Sequence, residues 1–363
     1  MAKEIICAVT NDLVYDQRMI RICGTLAKDG FKVKLIGREL KNSLPLKKAE
    51  FAQERLRCWF NSGKLFYLEY NLRLFLKIRN TKAWAYMAVD LDTIAPLFYQ
   101  AERVGAKKIY DAHEYFTEVP ELIGRPRVKA FWESIAKKFV PKADLAYTVA
   151  HNLGDELNSR YGINFHVIRN MPDLRPQEKR EIKYDLIYQG ALNRGRGLET
   201  MVMAMHKIDG KLLICGEGDL SKEIREMVER EGLNEKIEFA GKLMPEELWK
   251  RTQEARVGLN LLEAKSLSYW YSLANKFFDY IQAGIPQVCM AFPEYLMLSR
   301  RNQVAMLLAQ LDPDELASTV NHLLNHPDRY ELMKAECIQA AKVLNWHSES
   351  GRLITLYRDL EKS

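Results

Sequence analysis

The chain has 363 residues, of which 47% are hydrophobic and 28% charged, a balance that excludes a disordered protein and leaves enough apolar material for a large core. The length suggests two domains. No apolar run approaches the roughly 18 residues of a membrane span and no cationic leader precedes the first apolar stretch, so neither membrane spanning nor secretion is expected.

Short β-rich runs alternate with longer helical patterns in the first half, the sequence form of a parallel sheet covered on both faces. Strands are expected at 4–9, 32–36, 83–89, 107–110, 144–148 and 166–168. A helix is expected at 16–28, where Met19, Ile22, Cys23 and Leu26 recur at helical spacing and Gly30 follows as a stop. Residues 171–183 hold two prolines and seven charges, the composition of an exposed linker. A second alternation follows, with strands at 186–188, 211–215, 236–239, 257–262 and 287–290 and helices at 198–206, 221–231, 245–254 and 273–283. Residues 346–360 place Leu353, Tyr357 and Leu360 on one helical face. The reading is α/β, with a Rossmann-like domain at 1–175, a second at 184–345, and a last helix at 346–363. Six scattered cysteines without Cys-x-x-Cys spacing read as buried thiols of a reducing compartment, so a cytoplasmic protein is expected.

A parallel α/β sheet binds ligands outside the carboxyl ends of its strands, which directs attention to four loops. The first, residues 11–18, lacks the Gly-x-Gly-x-x-Gly fingerprint and so speaks against a nicotinamide or flavin cofactor. There Arg18 could bind an anion and Asp16 accept a sugar hydroxyl, or the two could be a solvated arginine and a helix cap. In the second, His113 follows a strand between Asp111 and Glu114. It could be a proton donor, a hydrogen-bond donor, a structural histidine or, least favoured without a companion His or Cys, a metal ligand.

The third loop, residues 190–197, sets Gly190, Gly195 and Gly197 around Asn193, Arg194 and Arg196 ahead of a helix, a combination suited to phosphate. The run Gly216-Glu217-Gly218 repeats the strand-end glycine pattern on the next strand. In the fourth, a helix beginning near Leu273 would turn the amides around Ser272, Leu273, Ala274 and Asn275 and the Lys276 amine toward a phosphate. Asp279, one turn on from Asn275, would reach a neighbouring diol, as in a ribose-linked nucleotide. Phe277, Phe278 and Ile281 read as core. Asp90-Leu91-Asp92 looks like an Asp-x-Asp metal motif but precedes a helical stretch with Ile94, Leu97 and Phe98, so capping is the favoured role, with a substrate contact at the strand end as the alternative.

The glycine loop at 190–197, the segment Asn275-Lys276-x-x-Asp279-Tyr280-x-x-Ala283-Gly284-x-Pro286 and the stretch Asp111-Ala112-His113-Glu114 resemble family 4 retaining glycosyltransferases of the GT-B fold, glycosyl transferases group 1. The resemblance runs from the first strand to the last helix. It implies two Rossmann-like domains facing a central cleft, with the last helix crossing back to the first domain. It further implies a UDP-, GDP- or ADP-sugar donor on the C-terminal domain, a glycan or lipid-linked acceptor on the N-terminal domain, no required cofactor, and a role in cell-surface polysaccharide or glycoconjugate synthesis. By the same resemblance Arg196 neutralises the donor diphosphate, Asp279 binds the ribose and His113 lies near the transferred sugar.

Three departures stand out. Ala191 occupies a place that is often basic, so Lys276, Arg194 or Arg18 must supply the second positive charge. Tyr271 stands where the paired-glutamate motif has its first Glu, leaving Glu263, Tyr269 and Tyr271 as candidates for the sugar hydroxyls. The first loop is Asn11 to Arg18 instead of glycine-rich, so Asn11, Asp16 and Arg18 are the acceptor-side candidates.

Leaving-group charge would be met by Arg196, Lys276 and helix-start amides, with no metal and no assignable carboxylate nucleophile. Glu217 and Lys242 are further candidates near the base. A nucleotide-sugar epimerase and a non-catalytic sugar-nucleotide scaffold are the alternatives.

The formal charge of +6 is uneven. Residues 1–175 carry 29 Lys and Arg against 20 Asp and Glu, and residues 176–363 carry 25 against 28. Residues 64–82 and 125–142 mix basic and aromatic residues. Such stretches can lie on an anionic bilayer, at the inner face of the membrane, although core helices with solvated lysines are favoured. No recognition motif accompanies the charge, so nucleic acid is not an expected partner.

Overall fold

A computed structural model describes residues 2–178 and 180–363. The chain divides into two compact units, one formed by residues 1–170 with 349–363 and the other by residues 171–348.

Seven parallel strands build the first unit: β1 (Glu4–Ala8), β2 (Lys32–Glu39), β3 (Ala52–Arg57), β4 (Ala85–Val89), β5 (Lys107–Ala112), β6 (Leu145–Thr148) and β7 (Phe165–Val167), in the order β3-β2-β1-β4-β5-β6-β7. Helices α1 (Gln17–Lys28), α2 (Gly63–Ile78), α3 (Ile94–Val104), α4 (Pro126–Phe139) and α5 (His151–Tyr161) connect them. The central strands are buried on both faces because helices cover both. Every side chain of β4 is buried, and the apolar face of α1, with Met19, Ile22, Cys23 and Leu26, is fully enclosed.

The second unit repeats the plan with β8 (Tyr184–Gln189), β9 (Leu212–Cys215), β10 (Ile237–Gly241), β11 (Ala255–Asn260), β12 (Gln287–Met290) and β13 (Ala305–Leu308), in the order β10-β9-β8-β11-β12-β13. Its helices are α6 (Leu198–Ala204), α7 (Ser221–Arg230), α8 (Pro245–Gln253), α9 (Leu267–Trp270), α10 (Asn275–Ala283), α11 (Pro293–Asn302), α12 (Pro313–Asn325) and α13 (Pro327–Ala341). The last helix, α14 (Trp346–Lys362), buries Leu353, Tyr357 and Leu360. The Tyr357 hydroxyl meets the Tyr147 hydroxyl at 3.2 Å and the Met87 sulfur at 3.1 Å, so this helix completes the core of the first unit. All six cysteines are buried free thiols.

Two strands were not expected, β3 and β13, and both lie at sheet edges. β3 reads Ala-Gln-Glu-Arg-Leu-Arg and has no apolar alternation. Its charges are satisfied laterally, where Glu54 pairs with Lys34 and Lys77 and Arg55 pairs with Asp12. The expected linker is also less free than its composition implied. Gln177 donates to the Gln282 carbonyl and the Glu178 amide donates to the Gln253 side chain, which fastens this segment to the second unit.

Candidate functional site

In each sheet the strand order reverses between the first strand of the unit and its fourth, β1 and β4 in one case and β8 and β11 in the other. Loops leaving those strand ends diverge to opposite faces and open a crevice, the usual ligand position in such sheets.

In the second unit that crevice gathers the third and fourth loops. After β8, Gly190 has φ +138°, and after β9, Gly216 has φ +151°; a Cβ on Gly216 would stand 1.8 Å from the Gly190 carbonyl oxygen. Only glycine lets the two strand ends pass this closely. Lys276, in the first turn of α10, is 6% exposed and directs its ammonium across the opening of this glycine pair. Its Nζ lies 3.8 Å from the Tyr188 ring centroid and 3.2 Å from where a Gly190 Cβ would be, and it has no hydrogen-bond partner. Burial, with repulsion from Arg196, holds the Lys276 amine well below its ordinary pKa. The Arg196 guanidinium lies 5.4 Å from the Tyr269 ring, and its buried Nε is also without a partner.

Two cations therefore rest on tyrosine faces. Tyr188 was missed in the sequence because it reads as an ordinary strand residue. Its hydroxyl donates to the Ala191 carbonyl at 3.0 Å and anchors the glycine loop.

α10 is pinned by Tyr280, whose buried hydroxyl donates toward the Ile187 and Leu259 carbonyls, both at 3.2 Å, and accepts from the Gln189 amide at 3.3 Å. This single phenol ties the helix to β8 and β11 and sets the height of Lys276 and Asp279. Asp279 accepts from Gln189 Nε2 at 2.9 Å, and Thr252 holds the other end of that amide. Phe277, Phe278 and Ile281 are core.

Several sequence expectations change here. The helix starts at Asn275 and not near Leu273. The Ala274 amide is spent on the Tyr295 hydroxyl and the Ser272 amide on the Tyr269 carbonyl, so the amides of this approach segment do not all face a ligand. Asn193 accepts from the Asp219 amide at 3.2 Å and joins the two glycine loops, while Arg194 is exposed. Glu217 is exposed and paired with Arg225 at 2.8 Å; hydrogen bonds from Ser221 and then Arg225 hold its carboxyl below the usual range. The Glu263 amide donates to the Gly195 carbonyl, which brings this candidate beside the glycine loop.

In the first unit, the expectation of an anion-binding or solvated Arg18 fails. Arg18 is buried, its Nε and Nη2 grip the two Asp111 carboxylate oxygens at 3.1 and 2.7 Å, and Nη1 donates to the Ile168 carbonyl at 2.7 Å. Asp16 is likewise committed, capping α1 through the Met19 amide and accepting from Asn11 Nδ2 at 3.2 Å, so helix capping replaces sugar binding. Asn11 remains exposed.

His113 Nε2 lies 3.0 Å from Asp111 Oδ2, and the His113 side chain is 18% exposed. Asp90 and Asp92 do not cap the following helix. Asp90, at φ +54°, accepts the His113 amide at 2.9 Å, and Asp92 accepts from the Thr10 hydroxyl at 2.5 Å. Burial raises both carboxyls, Asp92 to about 6. Among the described residues no group of three or more His, Cys, Asp and Glu is arranged to hold a metal ion.

The favoured core role of residues 64–82 holds for one face only. Phe66, Tyr70, Leu74 and Ile78 of α2 are buried, but Leu65, Leu68, Leu72 and Leu76 are 47%, 68%, 56% and 49% exposed. On α4, Trp132 is buried while Val128 and Phe131 are exposed. Among the described residues no helix is long and apolar enough to cross a membrane.

Residues 170–342 match the family model described as glycosyl transferases group 1. No curated protein sequence matches. Among solved structures, sucrose-phosphate synthase from Thermosynechococcus elongatus aligns with a TM-score of 0.80 at 16% identity, covering 99% of each chain. HepE of Anabaena, solved in complex with UDP-glucose, aligns with a TM-score of 0.76 at 11% identity over 98% of this chain and 100% of that one. WaaG, a glycosyltransferase involved in lipopolysaccharide biosynthesis, aligns with a TM-score of 0.73 at 12% identity over 96% and 98%.

Proposed function

We propose that the chain, which has the GT-B fold and matches the glycosyl transferases group 1 model over residues 170–342, is a glycosyltransferase that moves a sugar from a nucleotide-sugar donor to a glycan or lipid-linked acceptor. The transfer retains anomeric configuration, needs no metal and serves cell-surface polysaccharide or glycoconjugate synthesis. The carrying observation is the buried Lys276 amine, without a hydrogen-bond partner, over the paired strand-end glycines. A buried cation lacking its counter-charge is costly, and a diphosphate supplies that charge. The binding of UDP-glucose by HepE supports a nucleotide-sugar as the donor.

In this reading the bond from the anomeric carbon to the diphosphate oxygen breaks while the acceptor hydroxyl oxygen bonds to that carbon on the same face. The hydroxyl proton leaves with the diphosphate. Lys276 and Arg196 stabilise the charge that develops on the leaving oxygen, and the preorganisation of these groups over tyrosine faces removes the cost of reorienting them. Asp279 accepts from the ribose hydroxyls. Gly190 and Gly216 let the strand-end backbone approach the phosphates, with the 272–275 segment beside them. Asn193 and Arg194 shape and border the glycine loop, and Glu217 lies on the side of the base. In the first unit His113 donates a hydrogen bond to substrate and Asn11 contributes on the acceptor side.

The leucine stripe of α2, with basic Lys64 and Arg79 also exposed, favours an anionic membrane surface at its cytoplasmic face, where a lipid-linked acceptor would be met. Replacing Leu68 and Leu72 together by Glu is expected to abolish co-sedimentation with anionic vesicles at low salt. Equal sedimentation of wild type and variant would remove the membrane from the proposal.

Incubation with UDP-, GDP- and ADP-sugars tests the reaction. Nucleotide release that accelerates with acceptor is the expected result. Isomerised sugar with no release would indicate an epimerase, and binding without turnover a scaffold.

A further inference from the structure

Asp111 is completely buried at the end of β5, and both of its oxygens are used. Oδ1 receives Arg18 Nη2, while Oδ2 receives both Arg18 Nε and the His113 ring. Arg18 is fixed in turn by the Ile168 carbonyl beyond β7, and the His113 backbone by Asp90. These contacts fix the carboxylate on which Nε2 of the imidazole rests and the backbone that carries the ring, which leaves Nδ1 as the second ring nitrogen.

We infer that the Arg18–Asp111 pair is a positioning device that keeps His113 an imidazolium, so that His113 serves substrate as a charged hydrogen-bond donor and not as a proton acceptor. This deepens the transfer reading and rests on it. A general base at this position would need a neutral ring with a free lone pair at Nδ1. The surroundings oppose that state.

The groups around the ring are Asp111 on β5, Asp90 and Asp92 after β4, Glu114 on its own loop and Arg18 on α1. Asp111 is the carboxylate hydrogen-bonded to the ring, and Arg18 is bound to that same carboxylate. Burial pushes the imidazole down, but the attraction of Asp111 and the hydrogen bond the ring donates to it, then attraction from Asp90, outweigh it and the repulsion of Arg18, bringing the ring up to about 9. Arg18 also holds the Asp111 carboxyl below its usual range, although burial alone would raise it, so Asp111 stays an anion throughout the neutral range. Arg18 and Asp111 are positioning residues because they act through His113.

The test is a pH titration of the intact protein by long-range imidazole 15N NMR, with His113→Gln assigning the signal among the seven histidines. Both ring nitrogens are expected to be protonated at pH 7.5, with a midpoint near the raised value. Asp111→Asn should move that midpoint down by about 1–3 pH units. The matching kinetic signature is a kcat/KM that is level from pH 6.5 to 8 in wild type and that falls across the same interval in Asp111→Asn, recovering at lower pH.

A neutral ring at pH 7.5, a midpoint unmoved by Asp111→Asn, or a kcat/KM that climbs through pH 6–7 would overturn the inference. Where Asp111→Asn does not fold, Arg18→Lys and the wild-type titration decide. If His113→Asn leaves transfer kinetics unchanged while the wild-type ring titrates near 9, the role of His113 toward substrate is refuted and its charge is upheld.

Discussion

Lys276→Met separates what a buried ammonium costs the empty protein from what it does for a ligand. Methionine keeps the length and apolar stem of the side chain and removes only the charge. In the unfolded chain the amine keeps its proton up to a pH of about 10.4. In the folded chain it gives that proton up well below this value, first because it is buried and then because Arg196 repels it. Between the two values the unfolded state holds one more proton than the folded state. Stability therefore rises with pH in that window, by about 1.4 kcal/mol per pH unit, and the full penalty persists below it. The variant should lose this slope and be more stable than wild type at pH 7.

Ligand binding should move the opposite way. A charge-assisted hydrogen bond contributes about 1.5–3 kcal/mol, so UDP affinity should fall by about 10- to 150-fold. Denaturant unfolding at several pH values, with and without UDP or GDP, measures both quantities on one sample. A variant that binds nucleotide as tightly as wild type would refute the assignment of Lys276 to the diphosphate. A variant less stable at pH 7 with its slope intact would refute the electrostatic argument itself.

Three further outcomes follow from the same geometry. Arg196→Ala should lower kcat/KM by about tenfold or more, because it removes a cation facing the leaving group, and should leave the unfolding midpoint almost unmoved since the side chain is only half-buried. Gly216→Ala sets a methyl 1.8 Å from the Gly190 carbonyl oxygen in a backbone region that side chains rarely adopt; a cost of about 1–3 kcal/mol for the backbone alone, together with loss of nucleotide binding, is expected in urea melts and UDP titrations. Tyr280→Phe removes the hydroxyl that joins the Ile187 and Leu259 carbonyls and the Gln189 amide, which should cost about 1–3 kcal/mol in denaturant unfolding and weaken nucleotide binding by loosening α10; full stability would show that the phenol does not pin the helix.

The central strands and the helices between them were legible because burial on both faces demands continuous apolar runs, which β1, β4, β8 and β11 all have. Of the four edge strands, β7 and β10 were legible and two were not: β3 because its charged residues, met by lateral ion pairs, show no apolar alternation, and β13 because four apolar residues, Ala-Met-Leu-Leu, do not separate a strand from a helix. The positions of the site loops followed from strand ends and glycines, and Gly190, Gly216 and Lys276 do come together.

The sequence could not tell one cation from another. Arg18 and Arg196 both follow a strand, both stand at a helix start and both looked suited to an anion. Their difference lies wholly in what the fold brings to them. Arg18 receives a carboxylate from a strand 93 positions away and disappears beneath a histidine; Arg196 receives a tyrosine face and keeps an unpartnered nitrogen. An internal carboxylate and an incoming diphosphate compete for the same guanidinium chemistry, so a cation becomes a ligand group only where the fold withholds the carboxylate. In the second unit neither Lys276 Nζ nor Arg196 Nε has a hydrogen-bond partner, Asp279 acts on Lys276 only by attraction without binding it, and aromatic rings lie beside both side chains. Sequence spacing shows where basic residues are, and only packing shows which of them the fold has left uncompensated.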